Sequence, residues 1–183
     1  MAYRLATLQE PYPPEIADRL PRYPQRDGYI LQLFRTFANS QRFLGRAVAN
    51  LLDKESPLNI RLREIAILRT TANLGCEYEW GVHVAAFARA ARLTDEQVDA
   101  TRLGDADSPC WALDERLMVR AIDELCHAGG INAGTYEEMS EIWTLDQQLE
   151  IIAICGNYHT ISFVANTARL AREPFAASFP ARR

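Results

Sequence analysis

The chain has 183 residues, 48% of them hydrophobic and 24% charged, with a net charge of −4 at pH 7. That length suits one globular domain that buries roughly 70% of the surface its unfolded form exposes. Acidic and basic residues are interspersed, and no run approaches the ~20 apolar residues of a membrane span, which argues against a nucleic-acid or membrane partner.

Residues 1–27 carry Pro11, Pro13, Pro14, Pro21 and Pro24. These block regular helix over most of that stretch and predict an extended arm lying on a surface. From Tyr29, Ile30, Leu31, Leu33, Phe34 and Phe37 recur at helical steps, as do Phe43, Leu44, Val48 and Leu51, which predicts two helices broken near Asn39-Ser40. Leu58–Leu74 is apolar on nearly every face and reads as a central buried helix closed by Gly75. The next helix carries Tyr78 to Ala91, and Thr94 with Gln97 forms a capping box that starts a short third one.

A loop over 104–109 leads to an amphipathic helix built on Leu113, Leu117, Val119, Ala121, Ile122 and Leu125, stopped by Gly129-Gly130. A short helix from Thr135 to Trp143 precedes a long one from about Asp146 to Ala171. The run Leu149, Ile151, Ile152, Ala153, Ile154 reads as central in the fold. No hairpin dipeptide and no sustained period-two alternation is read, so the expected fold class is all-α. Residues 28–173 form the expected single domain, and 174–183, with Pro174 and Pro180, a tail.

The four cysteines, Cys76, Cys110, Cys126 and Cys155, form no C-x-x-C pair, and no signal-like segment opens the chain. Free thiols in a reducing cytoplasm are expected.

Chemistry concentrates in Cys76-Glu77-Tyr78-Glu79-Trp80-Gly81-Val82-His83. At ~100° per residue, Cys76, Glu79 and His83 share one helix face that Ala86 and Ala90 extend, the composition of a small pocket's wall. Glu79, one turn before His83, can orient the imidazole and raise its basicity, making His83 a general base or, equally, a satisfied core histidine. Glu64, flanked by Ile60, Ile67 and Leu68, reads as a buried proton carrier or as the partner of Arg61 or Arg63. Cys76, at the start of its helix, has the dipole and His83 to favour thiolate, against the alternative of an inert buried thiol. Tyr78 and Trp80 read mainly as packing, with the Tyr78 hydroxyl available to a substrate. Glu79 and His83 could hold zinc with Cys76, Glu64 or His159, but no second helical histidine of the H-E-x-x-H type is present, and no metal is assigned. His127 and His159 lie on other helices, and His159 could line the same cavity.

The strings Arg63-Glu64-Ile65-Ala66-Ile67-Leu68-Arg69, Glu77-Tyr78-Glu79-Trp80-Gly81-Val82-His83-Val84 and Ala91-Arg92-Leu93-Thr94-Asp95-Glu96 resemble the carboxymuconolactone decarboxylase family, which also contains alkylhydroperoxidase D. The match is strong over residues 58–100 and looser over Asn157-Tyr158 and Asn166. The resemblance implies an alkylhydroperoxidase D-like bundle of six to eight helices, assembled as a homo-oligomer (dimer, trimer or hexamer). In the alkylhydroperoxidase D branch a C-x-x-C pair is served by a glutamate twelve residues before it and a histidine four after it. Glu64, Cys76 and His83 occupy those places, but Glu79 stands where the second cysteine belongs. A carboxylate can neither attack nor resolve a disulfide.

The lactone-decarboxylase branch, which uses no cysteine pair, matches better. It implies acid–base chemistry without organic cofactor on a small carboxylated lactone or enol-type acid. His83, Glu64 and Glu79 would be catalytic, with Tyr78, Trp80 and Arg69 as substrate contacts. The alternatives are a thiol-dependent peroxidase using Cys76 and a noncatalytic oligomer that binds a small ligand.

Overall fold

The computed structural model describes residues 5–46 and 51–181, so Val48, which the sequence assigns to a helix, lies outside the described residues. Pro14 opens α1 (Pro14–Ala17), where a missing N–H is harmless, and a 3₁₀ turn follows over Leu20–Arg22. Ile16 and Leu20 are buried and fix this segment to the core. β1 (Gln25–Arg26) then pairs antiparallel with β2 (Tyr29–Ile30), Gln25 opposite Ile30 and Arg26 opposite Tyr29.

The connecting Asp27 and Gly28 both take positive φ, 52° and 81°, the sign both central residues have in a type I′ hairpin. This corrects the expectation that the chain holds no hairpin dipeptide: Asp27-Gly28 is one. It also delays the helix expected from Tyr29, so that α2 spans Gln32–Phe37. α3 (Gln41–Arg46) follows the predicted break.

α4 (Ile60–Asn73) starts at Asn59, whose side-chain oxygen accepts the Leu62 N–H at 2.9 Å, and Gly75 at φ 61° turns the chain beyond its end. Ile65, Ala66, Ile67 and Leu68 have no exposed surface, which makes this the central helix the sequence predicts. Around it pack α5 (Glu77–Phe87), α6 (Asp95–Leu103), α7 (Leu113–Ala128) and α9 (Leu145–Ala168), with α8 (Ala133–Ile142) against α7. α6 carries the expected Thr94 and Gln97 capping box, and α7 ends at left-handed Gly129. The fold is all-α: among the described residues nine helices accompany a single two-stranded ribbon.

α9 departs from its expected central place. Ile151 and Ile154 are fully buried, but Leu149 is 65% and Ile152 42% exposed, because the apolar run covers two faces and the core takes only one. Leu145 and Phe163 continue the outward row.

The stretch after α9 packs as a strap. Glu173 is fully buried and accepts hydrogen bonds from the Tyr78 hydroxyl (2.7 Å), the Tyr29 hydroxyl (3.1 Å) and the Gln32 N–H (2.9 Å). Farther on, the Ala177 N–H donates to the Gly81 carbonyl at 3.1 Å, and the Phe179 ring lies 5.2 Å from that of Trp80. A Cβ at Gly81 would stand 2.2 Å from the Ala177 carbonyl oxygen, so only glycine lets the strap lie this close.

Candidate active site

Glu64 projects from α4, Glu79 and His83 from consecutive turns of α5, and Tyr158 from α9, and all four side chains are buried. His83 Nδ1 lies 2.8 Å from Glu64 Oε2, and its Nε2 lies 2.9 Å from the Tyr158 hydroxyl and 3.5 Å from Glu79 Oε1. The ring stands edge-on to Tyr158, with centroids 5.1 Å apart.

Burial by itself disfavours a charged imidazole, but the Glu64 carboxylate and its hydrogen bond, with Glu79 behind them, outweigh it and push His83 up to about 10. At neutral pH the ring is therefore an imidazolium, with Nδ1–H donating to Glu64 and Nε2–H to the Tyr158 oxygen. Burial, then Glu79 and Glu64, raises the Tyr158 hydroxyl well above its ordinary range, while Arg63 acts in the opposite direction. Tyr158 stays neutral and keeps its own proton for another acceptor.

Glu79, His83 and Tyr158 form the polar patch of a cavity of about 820 Å³. Its walls are mainly apolar: Leu33, Phe34 and Phe37 from α2, Val82, Ala86 and Phe87 from α5, Ile154 and Ile161 from α9. Arg22 to Arg26 and Phe175 also line it, with the Arg26 guanidinium 4.3 Å above the Phe175 ring. A few convergent polar groups in an apolar cavity of this size are what small-molecule sites present.

The structure thus brings Glu64, Glu79 and His83 together. Glu64 pairs with neither Arg61, which bonds to Glu115, nor Arg63, which donates to the Asp53 carbonyl. The alanine half of the expected pocket wall holds for Ala86, whereas Ala90 lies beyond the end of α5 and is exposed. Cys76 is fully buried outside the cavity lining, and burial pushes its thiol up to about 11, the direction of the inert buried thiol rather than of the thiolate its helix position could favour.

The three expected substrate contacts also lie off the cavity lining. Tyr78 is held by Glu173 and by the Leu33 N–H, and Trp80 donates to Thr101 Oγ1 at 2.9 Å. Arg69 grips Asp123 through two bonds of 2.6 and 2.8 Å and donates to the carbonyls of Thr101 and Gly104. His159 sits off the cavity as well, its Nδ1 2.9 Å from the Cys155 carbonyl oxygen.

Tyr158 is the site residue that sequence reasoning passed over. A face-by-face reading of α9 finds it, because Ile151, Ile154, Tyr158 and Ile161 share a buried stripe on which it carries the hydroxyl.

Residues 38–121 match the carboxymuconolactone decarboxylase family. An uncharacterized peroxidase-related protein from Silicibacter sp. TM1040 shares the fold at a TM-score of 0.77 and 16% identity, over 97% of each chain. A protein of unknown function from Agrobacterium tumefaciens, proposed as the antioxidant defence protein AhpD, superposes at 0.59 with 18% identity over 66% of this chain and 82% of its own. No curated protein matches the sequence. At these identities the two structures establish the fold alone.

Proposed function

We propose, from the match of residues 38–121 to the carboxymuconolactone decarboxylase family, that the protein is a cofactor-free acid–base enzyme. Its reaction is decarboxylation or isomerisation of a small carboxylated lactone or enol-type acid. The carrying observation is the buried His83, held between Glu64 and Tyr158 at the wall of an apolar cavity with Glu79 beside it.

In this scheme Arg22 and Arg26 at the exposed end of the lining meet the substrate carboxylate, and the apolar body lies among Phe34, Phe37 and Phe87. For decarboxylation, the C–C bond to the leaving CO₂ breaks and its electron pair passes onto the neighbouring carbonyl as an enolate. The His83 imidazolium and the Tyr158 hydroxyl are fixed donors beside that developing charge. A proton from this pair then reaches the carbon. For isomerisation, Glu79 first takes a proton from one carbon and the pair returns one at another. Cys76, buried and protonated at neutral pH, supports this route over a thiol one.

Assays of the purified protein against carboxylated lactones, and against hydroperoxide with a dithiol, test this reading. Lactone turnover that survives Cys76→Ala is expected; turnover of hydroperoxide alone, lost in that variant, overturns it. The outward row Leu145, Leu149, Ile152 and Phe163 supports self-association as a homo-oligomer. Light scattering is expected to give a multiple of 20.7 kDa, and a monomeric mass at micromolar concentration sinks that part of the proposal.

A further inference from the structure

Beside α9, off the cavity lining, two thiols from different helices meet. Cys126 Sγ, from the last turns of α7, lies 3.9 Å from Cys155 Sγ, and His159 Nδ1 lies 3.7 Å from that second sulfur. Cys126 is half-buried and Cys155 buried. We propose that Cys126 and Cys155 are a redox-active dithiol, oxidised by a hydroperoxide to an intramolecular disulfide and returned by a small dithiol reductant. This inference is independent of the acid–base site, since neither sulfur lines the cavity.

The separation suits the chemistry. A disulfide requires the sulfurs to close to about 2.05 Å, so the pair must approach by about 1.9 Å. The two thiols are also unlike in the way such a pair requires. The hydrogen bond between them, aided by Asn73, lowers Cys126, while the same bond and burial raise Cys155. The more accessible sulfur is therefore the one that ionises.

His159 decides between this reading and a Cys₂His metal site, for which the three ligand atoms lie within 4.8 Å of one another. Its Nδ1 is 2.9 Å from the Cys155 carbonyl oxygen, which can only accept, so Nδ1 carries the ring proton. The nitrogen facing the sulfurs offers an N–H, whereas a metal requires its lone pair.

The steps balance. The Cys126 thiolate attacks one peroxide oxygen, the O–O bond breaks, and the alkoxide leaves as an alcohol after taking a proton; Cys126 becomes a sulfenic acid. The Cys155 sulfur attacks the Cys126 sulfur, the S–O bond breaks, and hydroxide leaves as water with the Cys155 proton. Two thiols lose two electrons and one peroxide gains them.

The test is mass spectrometry of the full-length protein after one equivalent of hydrogen peroxide. Expected is a loss of two hydrogens, reversed by dithiothreitol, mapping to a cross-link between the Cys126 and Cys155 peptides. Cys155→Ser should instead leave a dimedone-reactive sulfenic acid on Cys126, and Cys126→Ser should abolish the disulfide, with helicity confirmed by circular dichroism in both. No Cys126–Cys155 cross-link, or stoichiometric zinc protecting both thiols from alkylation, overturns the proposal.

Discussion

Turnover by a His83→Ala variant is expected to fall by about 10³-fold, the usual contribution of a positioned proton carrier. The cause is specific: His83 joins a positive charge and a transferable proton in one buried group, and neither Glu79 nor the neutral Tyr158 hydroxyl can supply both. The pH profile offers a sharper check. His83 is raised in the folded protein to about 10, against an unfolded value of ~6.5. Its favourable linkage to folding is thus fully present below pH ~6.5 and is lost as pH rises through about 10. Activity carried by the imidazolium should share that basic limb.

Glu64→Gln removes the main partner that opposes burial, so the His83 pKa and the basic limb should both move down. With His83, His127 and His159 as the chain's three histidines, NMR of the ring nitrogens resolves the shift directly. An unmoved His83 titration in Glu64→Gln, or full turnover in His83→Ala, ends the acid–base reading.

Glu173→Ala is expected to destabilise the protein by about 2–4 kcal/mol, because the buried Tyr78 hydroxyl and the half-buried Gln32 N–H lose their acceptor together at about 1–3 kcal/mol each, while the exposed Tyr29 hydroxyl can turn to water. For a chain of this size that is a fall in Tm of roughly 10 °C. Glu173→Gln retains an accepting oxygen and should cost markedly less. Differential scanning calorimetry measures both; a Tm within ~2 °C of the wild type in Glu173→Ala shows that Glu173 is not the tie joining the strap to α2 and α5.

The helices were largely legible because their signals are local. Thr94 with Gln97, Gly129 after Leu125, and the all-round apolarity of Leu58–Leu74 each determine an element from within a few residues. Glu79 and His83 were legible as a pair because they stand one turn apart on one helix, whereas Glu64 joined them only through the family resemblance, its own burial leaving an ion pair with Arg61 or Arg63 open. What was not legible depends on contacts across the chain. Glu173 is the last residue of the expected domain, between the expected helix end at Ala171 and Pro174, and nothing nearby reveals that Tyr29 and Tyr78 converge on it. Cys76 follows the same logic, since its helix position favours thiolate and only its burial under the packed core reverses the sign. Asp27-Gly28 is a different kind of miss, a local signal passed over amid proline-rich sequence.

The cavity draws its lining from Arg22 through Phe175. On a ribosome, a growing chain can form α4 and α5, and so bring Glu64 to His83, long before Phe175 and the Glu173 clasp have been synthesised. Until that last stretch is in place, the wall that Phe175 supplies is missing from the cavity beside Glu79 and His83. Because burial and the carboxylates together set the proton affinity of His83, that affinity belongs to the finished chain rather than to α4 and α5 alone.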